Sequence, residues 1–263
     1  MVVDPMVPDS QPTSHEGLVP TTLVPLQSPL LAPYAARLRH GFTGRPLPIG
    51  GQRLDDAERA ANRRSWCEAV GIAHPERLAV PSQVHGDTLL PQAEAHGQAA
   101  DGVLIDGPGR PALVQVADCV PILLYAPDAH VGAVVHAGWR GTAQSIAPKA
   151  VQALADRYGA DPEWMVAVLG PAIGMDAYEV GWDVVEALRK TLSAEDGPVL
   201  FYSLFLGKKP HVDVRLVNFM QLSQAGLQHI EVTQWCTFYD QERFWSHRRG
   251  DWQRQGLLLE LLP

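Results

Sequence analysis

The chain has 263 residues, 46% of them hydrophobic, a net charge of −8 and three cysteines. That length and apolar content suffice for one sizeable core, while the negative balance, without a long Lys/Arg cluster, excludes a phosphate-backbone partner such as nucleic acid. Three cysteines are too few for a disulfide framework and leave at least one thiol free, which points to a reducing compartment and a cytoplasmic protein.

Residues 1–25 are rich in Pro, Ser and Thr and lack both a basic start and an unbroken apolar run. They read as a disordered tail rather than a signal peptide, with a single domain over 26–263. No stretch approaches the ~20 apolar residues that span a bilayer, so no membrane partner is expected. Residues 112–116, 122–125 and 131–135 are short, apolar and bounded by Pro, Gly or Asp, which predicts three buried strands. Cys119, in ADCVP, falls in the turn between the first two strands. His136, in HAGWRGT, ends the third, just before a turn at Gly138 and Gly141.

A helix follows, with Ile146, Ala150, Leu154 and Tyr158 on one face, Gly159 as its stop and Pro148 tolerated in the first turn. Residues 165–169 predict a strand running into GPAIG, 182–192 an amphipathic helix, and 214–225 another helix closed by Gly226. Closing strands are expected near 230–237 and 244–247, with 257–261 a third. Strands and helices without strict alternation argue for an α+β fold, a layered mixed sheet flanked by helices. Monomer and homodimer both stay open. The chain has no GxGxxG, GxxxxGK[ST] or GxSxG phosphate or nucleophile fingerprint.

His85 in SQVHGD, Cys119 and His136 place one soft sulfur and two imidazoles in three turn-like motifs. That set suits one zinc ion, and three protein ligands match a catalytic site, one short of the closed structural kind. Asp87 and Asp118 are candidate acceptors to orient the imidazoles, although Asp in a turn commonly caps backbone. Cys67, Cys236 and the Trp residues read as packing or pocket-wall residues, and His247 as a hydrogen-bonded wall residue beside strand aromatics.

VHGD, ADCVP, HAGWRG, GPAIG with YEVG, and the late CT followed by FWSHRR, in this order, resemble the YfiH-type proteins, also called multicopper polyphenol oxidoreductase or laccase-domain proteins. The resemblance runs from about His40 to the C-terminus. It implies a mixed α/β sandwich related to a bacterial toxin deamidase domain, and zinc held by His85, Cys119 and His136. It further implies phosphorolysis of adenosine, inosine, guanosine and methylthioadenosine, together with adenosine deamination; an older description of the family is as copper-dependent phenol oxidases. Copper is disfavoured here, because a multicopper oxidase needs a blue-copper site plus a second, imidazole-rich cluster. Ten His with no HxH pair do not supply one.

Zinc-activated water suits deamination at C6. Phosphorolysis needs cations that hold phosphate, and the candidates are Arg45 in HGFTGR and Arg140 beside His136. The chain departs from the family after Arg45, where PLPIGGQRLDDAERAANRR looks like a shortened substrate loop, and near the end, where GDWQRQG makes Arg254 a loose match. Two rival readings stand beside the purine enzyme: Cys119 as a nucleophile with His136 as its base, giving a hydrolase or deamidase, and a scaffolding module with structural zinc.

Overall fold

The computed structural model describes residues 23–193, 201–202 and 209–263. Strands β1 (Leu38–Phe42) and β2 (Gly50–Gly51) precede helix α1 (Asp56–Val70); β3 (Leu89–Pro91), α2 (Gln92–Ala95), β4 (Gly102–Ile105), β5 (Ala112–Val116), β6 (Val120–Ala126) and β7 (Val131–Ala137) follow. The second half holds α3 (Trp139–Ala143), α4 (Ile146–Tyr158), β8 (Val166–Leu169), α5 (Trp182–Arg189), β9 (Phe201–Tyr202), β10 (His211–Val212), α6 (Val214–Gln224), β11 (His229–Val232) and β12 (Gln253–Leu261).

Among the described residues the strands build a six-stranded mixed sheet in the order β11-β8-β6-β7-β4-β3, and a smaller antiparallel sheet in which β12 pairs with β1, β2 and β5. All seven residues of β6 and all seven of β7 are buried, as expected for strands covered on both faces. Their side chains alternate between two cores. Ile122 and Leu124 join Ile146, Ala150 and Leu154 of α4, Val185 of α5 and Val217 of α6, whereas Leu123 and Tyr125 meet Val114, Leu257 and Leu259 of the smaller sheet. On the far face of that sheet, Leu113 and Leu258 pack with Ile49 against Trp66, Cys67 and Val70 of α1. The architecture is therefore four layers, helix/sheet/sheet/helices, which bears out a layered α+β fold.

The predicted central strands and the helices after His136 form within a few residues of their expected bounds, with the helix at 182 ending at Arg189 instead of 192. Three expectations are corrected. Residues 244–247 are not a strand, because the N–H of Trp245 donates to Gln255 Oε1 at 2.8 Å and its C=O accepts from Gln255 Nε2 at 2.9 Å; one side-chain amide replaces a ladder partner. The final strand, expected over 257–261, starts earlier, at Gln253, and pairs with β1, β2 and β5 as the centre of its sheet. Trp66 and Trp245 are core residues, but Trp164 and Trp182 are 61% and 51% exposed.

The stretch after Arg45 folds into β2 and α1. That helix starts at a capping box, in which Asp55 accepts from the Glu58 amide at 2.8 Å and Glu58 accepts from the Asp55 amide at 3.2 Å. Of the expected tail, residues 1–22 lie outside the described residues; Leu26 exchanges backbone hydrogen bonds with Phe42 at 3.0 and 2.8 Å. No helix among the described residues is long and apolar enough to cross a membrane.

Leu258 is buried where the smaller sheet meets α1, so Leu258→Ala leaves a cavity there and is expected to lower stability by about 2–5 kcal/mol in urea unfolding. An unchanged midpoint would show that α1 does not share a core with this sheet.

Candidate active site

Strand register assembles the site at one end of the six-stranded sheet. Val120 pairs with Ala137, so Cys119, one residue before β6, lies opposite Gly138, one residue beyond β7. Gly102 pairs with Val135, so Asp101, one residue before β4, lies beside His136. The His136 amide donates to the Asp101 carbonyl at 2.7 Å, and His136 Nδ1 lies 2.8 Å from Asp101 Oδ1. The same carboxylate, 0% exposed, accepts the amides of Val84 at 3.2 Å, His85 at 3.0 Å and Gly86 at 2.7 Å. His85 adopts φ 61°, a left-handed conformation uncommon for a side chain of this size, and the amides gathered on Asp101 hold it there.

Consequently His85, Cys119 and His136 place their ligand atoms within 4.8 Å of one another, a group that can hold one metal ion, and it is the one such group among the described residues. The imidazoles meet edge to face, 4.8 Å between centroids with planes at 80°. A carboxylate at Nδ1 favours the proton there and leaves the Nε2 lone pair of His136 for a ligand. A Cβ built on Gly138 would fall 3.1 Å from Cys119 Sγ and 3.2 Å from His85 Cδ2, so the missing side chain keeps this space open. One thiolate and two imidazoles around a cradle of this kind fit a borderline-soft ion.

Burial alone would raise the Cys119 thiol, but the charge of His136 and hydrogen bonds to His136 and His85 bring it down to about 6. Burial alone would lower His136, yet the Cys119 thiolate and the Asp101 carboxylate push it up to about 9. Asp101 is held below the usual carboxylate range: burial opposes this, and the bond to His136 and the bonds from Gly86 and Val84 overcome it. Between these values the metal-free site is a thiolate–imidazolium pair.

Around this centre stand cations and aromatics. Arg140 is exposed, lies 4.4 Å over the Trp139 ring, and has no carboxylate within ion-pair distance among the described residues. Arg248 lies 4.9 Å over Tyr178 and donates to the Ala177 carbonyl at 3.2 Å. Burial, then the Cys119 charge, push the Tyr178 hydroxyl up to about 12, with Arg248 and Arg140 opposing. Arg254, half-buried, donates to the carbonyls of Asp251, Trp252 and Gln253. Arg45 is more committed, 5.5 Å from the Trp245 ring and 3.4 Å from Asp251, a carboxylate that also pairs with Arg249.

The two carboxylates proposed from sequence to orient the imidazoles do other work. Asp87 pairs with Lys149. Asp118 accepts from Thr237, Ser246 and the Arg248 amide. Asp101, which does orient His136, lies 35 residues away in sequence and becomes its neighbour only through strand pairing. His247 is exposed in a turn, since the strand expected around it is absent. Cys67 is buried, its thiol pushed up to about 12 by burial and nearby carboxylates; Cys236 Sγ accepts from the Gly174 amide at 3.2 Å.

Residues 45–262 match the family model described as multi-copper polyphenol oxidoreductase laccase. Purine nucleoside phosphorylase YlmD of Geobacillus stearothermophilus is 34% identical over 77% of this chain and 77% of its own length. The purine nucleoside phosphorylase of Deinococcus radiodurans is 33% identical, over 84% of this chain and 87% of its own. The crystal structure of YlmD from Geobacillus stearothermophilus matches with a TM-score of 0.81 at 28% identity, covering 92% of this chain and all of that one.

In metal-free protein, alkylation of Cys119 should rise with pH through about 6, because the thiolate population is complete above that value, while buried Cys67 stays inert at neutral pH. Peptide mass spectrometry after timed iodoacetamide exposure reads both. A Cys119 rate that climbs only above pH 8 would contradict the ion-pair description.

Proposed function

The chain belongs to the multi-copper polyphenol oxidoreductase laccase family, and we propose that it acts as a zinc-dependent purine nucleoside phosphorylase that also deaminates adenosine. The observation that carries the proposal is the convergence of His85, Cys119 and His136 on one three-donor site, with no second such group among the described residues. A multicopper oxidase requires a further cluster of imidazoles. His40 and His130, by contrast, are committed elsewhere, to the Ser28 amide at 2.9 Å and to the Leu262 carbonyl at 2.8 Å. The names carried by the relatives support the phosphorylase reading, and three free cysteines support a reducing, cytoplasmic setting.

In phosphorolysis a phosphate oxygen bonds to C1′ of the ribose as the C1′–N9 bond breaks; the electron pair leaves with the purine, which takes up a proton. His85, Cys119 and His136 would hold the zinc, which when bound would supply Lewis acidity to an oxygen ligand. Asp101 keeps the His136 proton on Nδ1, away from the ligand side. Arg140, with no carboxylate partner among the described residues, offers a planar fork to the phosphate. Arg45, whose charge Asp251 already meets, is the second phosphate residue and the weaker one. The Tyr178 hydroxyl stays protonated at neutral pH and donates to substrate. The adjoining thiolate and imidazolium favour one second reading, in which Cys119 attacks a carbonyl with His136 as its acid–base partner; that chemistry would survive or quicken once a chelator removes the metal.

Purified protein is expected to carry about one zinc per chain and to convert adenosine and phosphate into adenine and ribose 1-phosphate, with inosine as a parallel product. Arg140→Ala should slow the phosphate-dependent reaction about 10- to 100-fold, the loss of one or two charged hydrogen bonds, and slow deamination far less; Arg45→Ala should act in the same direction and less strongly. Elemental analysis and product chromatography decide it: several coppers per chain with phenol oxidation, or equal loss of both reactions in Arg140→Ala, would contradict the assignment.

A further inference from the structure

Between β11 and β12 the chain runs for residues 233–252 without a helix or strand, with one isolated backbone bridge, between Ala172 and Cys236, among the described residues. A structureless stretch of this length inside a compact domain is uncommon and is usually functional. It carries Arg248, exposed over Tyr178 and with no carboxylate partner among the described residues. No continuous ladder fixes the stretch; scattered backbone bonds, such as Thr237 to the Ala172 carbonyl and Arg45 to the Arg243 carbonyl, are joined by side-chain bonds. Asp251 and Arg249 hold it internally, Arg249 through the carbonyls of Thr237, Phe238 and Phe244. Among the described residues, Asp118 is the side chain that ties it to the turn that bears Cys119.

Asp118 is 8% exposed and adopts φ 88°, a left-handed conformation that costs a non-glycine residue energy and persists where the surroundings over-determine it. Its Oδ1 accepts from Thr237 Oγ1 at 2.6 Å, and its Oδ2 from Ser246 Oγ at 3.1 Å and the Arg248 amide at 2.7 Å. Its own carbonyl accepts the Ile173 amide at 3.0 Å, which draws in the GPAIG turn as well. The adjacent residue in sequence is the ligand Cys119. A single carboxylate thus links the metal-ligand turn to an arginine-bearing segment more than a hundred residues away.

We infer that Asp118 is a positioning residue for the anionic substrate: its carboxylate fixes the 246–248 turn so that Arg248 faces the same space as Cys119 and Arg140. The assignment of the anion as phosphate rests on the phosphorylase reading; the tether does not. The three partners respond differently to substitution. The Arg248 amide can only donate, whereas the hydroxyls of Thr237 and Ser246 can turn to accept. Asn at 118 can keep its oxygen toward Arg248 and its NH2 toward Thr237, which preserves the tether without the charge. Ala removes all three side-chain bonds.

The test compares full-length zinc-loaded wild type, Asp118→Ala and Asp118→Asn. In Asp118→Ala the KM for inorganic phosphate should rise about 10-fold or more, as expected for a displaced charged contact, with kcat at saturating phosphate and zinc content little changed; Asp118→Asn should restore most of the loss. Limited trypsin digestion should cut after Arg248 or Arg249 about tenfold faster in Asp118→Ala, since local opening governs cleavage there, and near the wild-type rate in Asp118→Asn. Unchanged trypsin cleavage in Asp118→Ala overturns the tether whatever the substrate, and so does an Asp118→Asn protein as impaired as Asp118→Ala. Loss of zinc with the phosphate KM unmoved would place Asp118 in the service of Cys119 instead. A wild type whose turnover ignores phosphate sinks the phosphorylase reading, and the trypsin comparison then decides the tether alone.

Discussion

The Asp101 carboxylate lies 2.8 Å from His136 Nδ1 while accepting the amides of Val84, His85 and Gly86, all from a fully buried position. Asp101 itself is the buried party, and leaving its carboxylate unmet would cost more than the about 1–3 kcal/mol of an unpaired neutral polar group, so the amides of the more exposed 84–86 turn are drawn onto it. The carboxylate is tolerated there because its lone pairs are met and its charge faces an imidazolium or, with a metal bound, an imidazole fixed in one tautomer. Both candidate imidazole ligands therefore depend on the same group, His136 through its ring and His85 through its strained backbone. Cys119 adds the sulfur from the next strand connection.

The layers explain why this carboxylate can be so exacting. β6 and β7 sit between two apolar cores, so neither strand can slip by one residue without turning its apolar side chains to the wrong core. That fixed register sets Asp101 beside His136 and Cys119 beside Gly138. Immediately past Gly138, α3 is held from below by α6: Asn218 Nδ2 donates to Thr142 Oγ1 at 2.9 Å and Gln221 Nε2 to the Thr142 carbonyl at 3.0 Å. Gly141 leaves no room for a side chain, since a Cβ there would meet the Gly86 carbonyl at 2.7 Å. Arg140 thus rides on a short helix clamped between the His85 turn and α6, a rigid mount for a charge that needs direction.

Much of this was legible in the sequence where the signal is local. The apolar runs of β5 to β8, the faces of α4 and α6, and the three donor motifs all announce themselves within a few residues. The motif order also carried the family. What escaped was non-local or looked irregular. Asp101 has no motif of its own, and Asp87 and Asp118, nearer in sequence to the ligands, drew the assignment. The strand expected at 244–247 failed because the Trp245 backbone groups are met by the side-chain amide of Gln255 in place of a ladder, which no periodicity records. Helix α1 is harder to read, although Asp55 and Glu58 spell its capping box, because it buries only Trp66, Cys67 and Val70 near its end and shows little apolar periodicity.

If Asp101 governs the site by fixing His136 and the His85 turn, then metal affinity must fall when its charge is removed while the fold is kept. The most direct measurement is zinc affinity by competition with a chromogenic chelator, comparing wild type with Asp101→Asn. The expected result is binding about 10- to 100-fold weaker in the variant, the range for losing an outer partner of a histidine ligand, with one zinc per chain still bound at saturation. Unchanged affinity in a folded Asp101→Asn protein would contradict the account, because His85, Cys119 and His136 would then hold the ion without the carboxylate that the geometry places behind them.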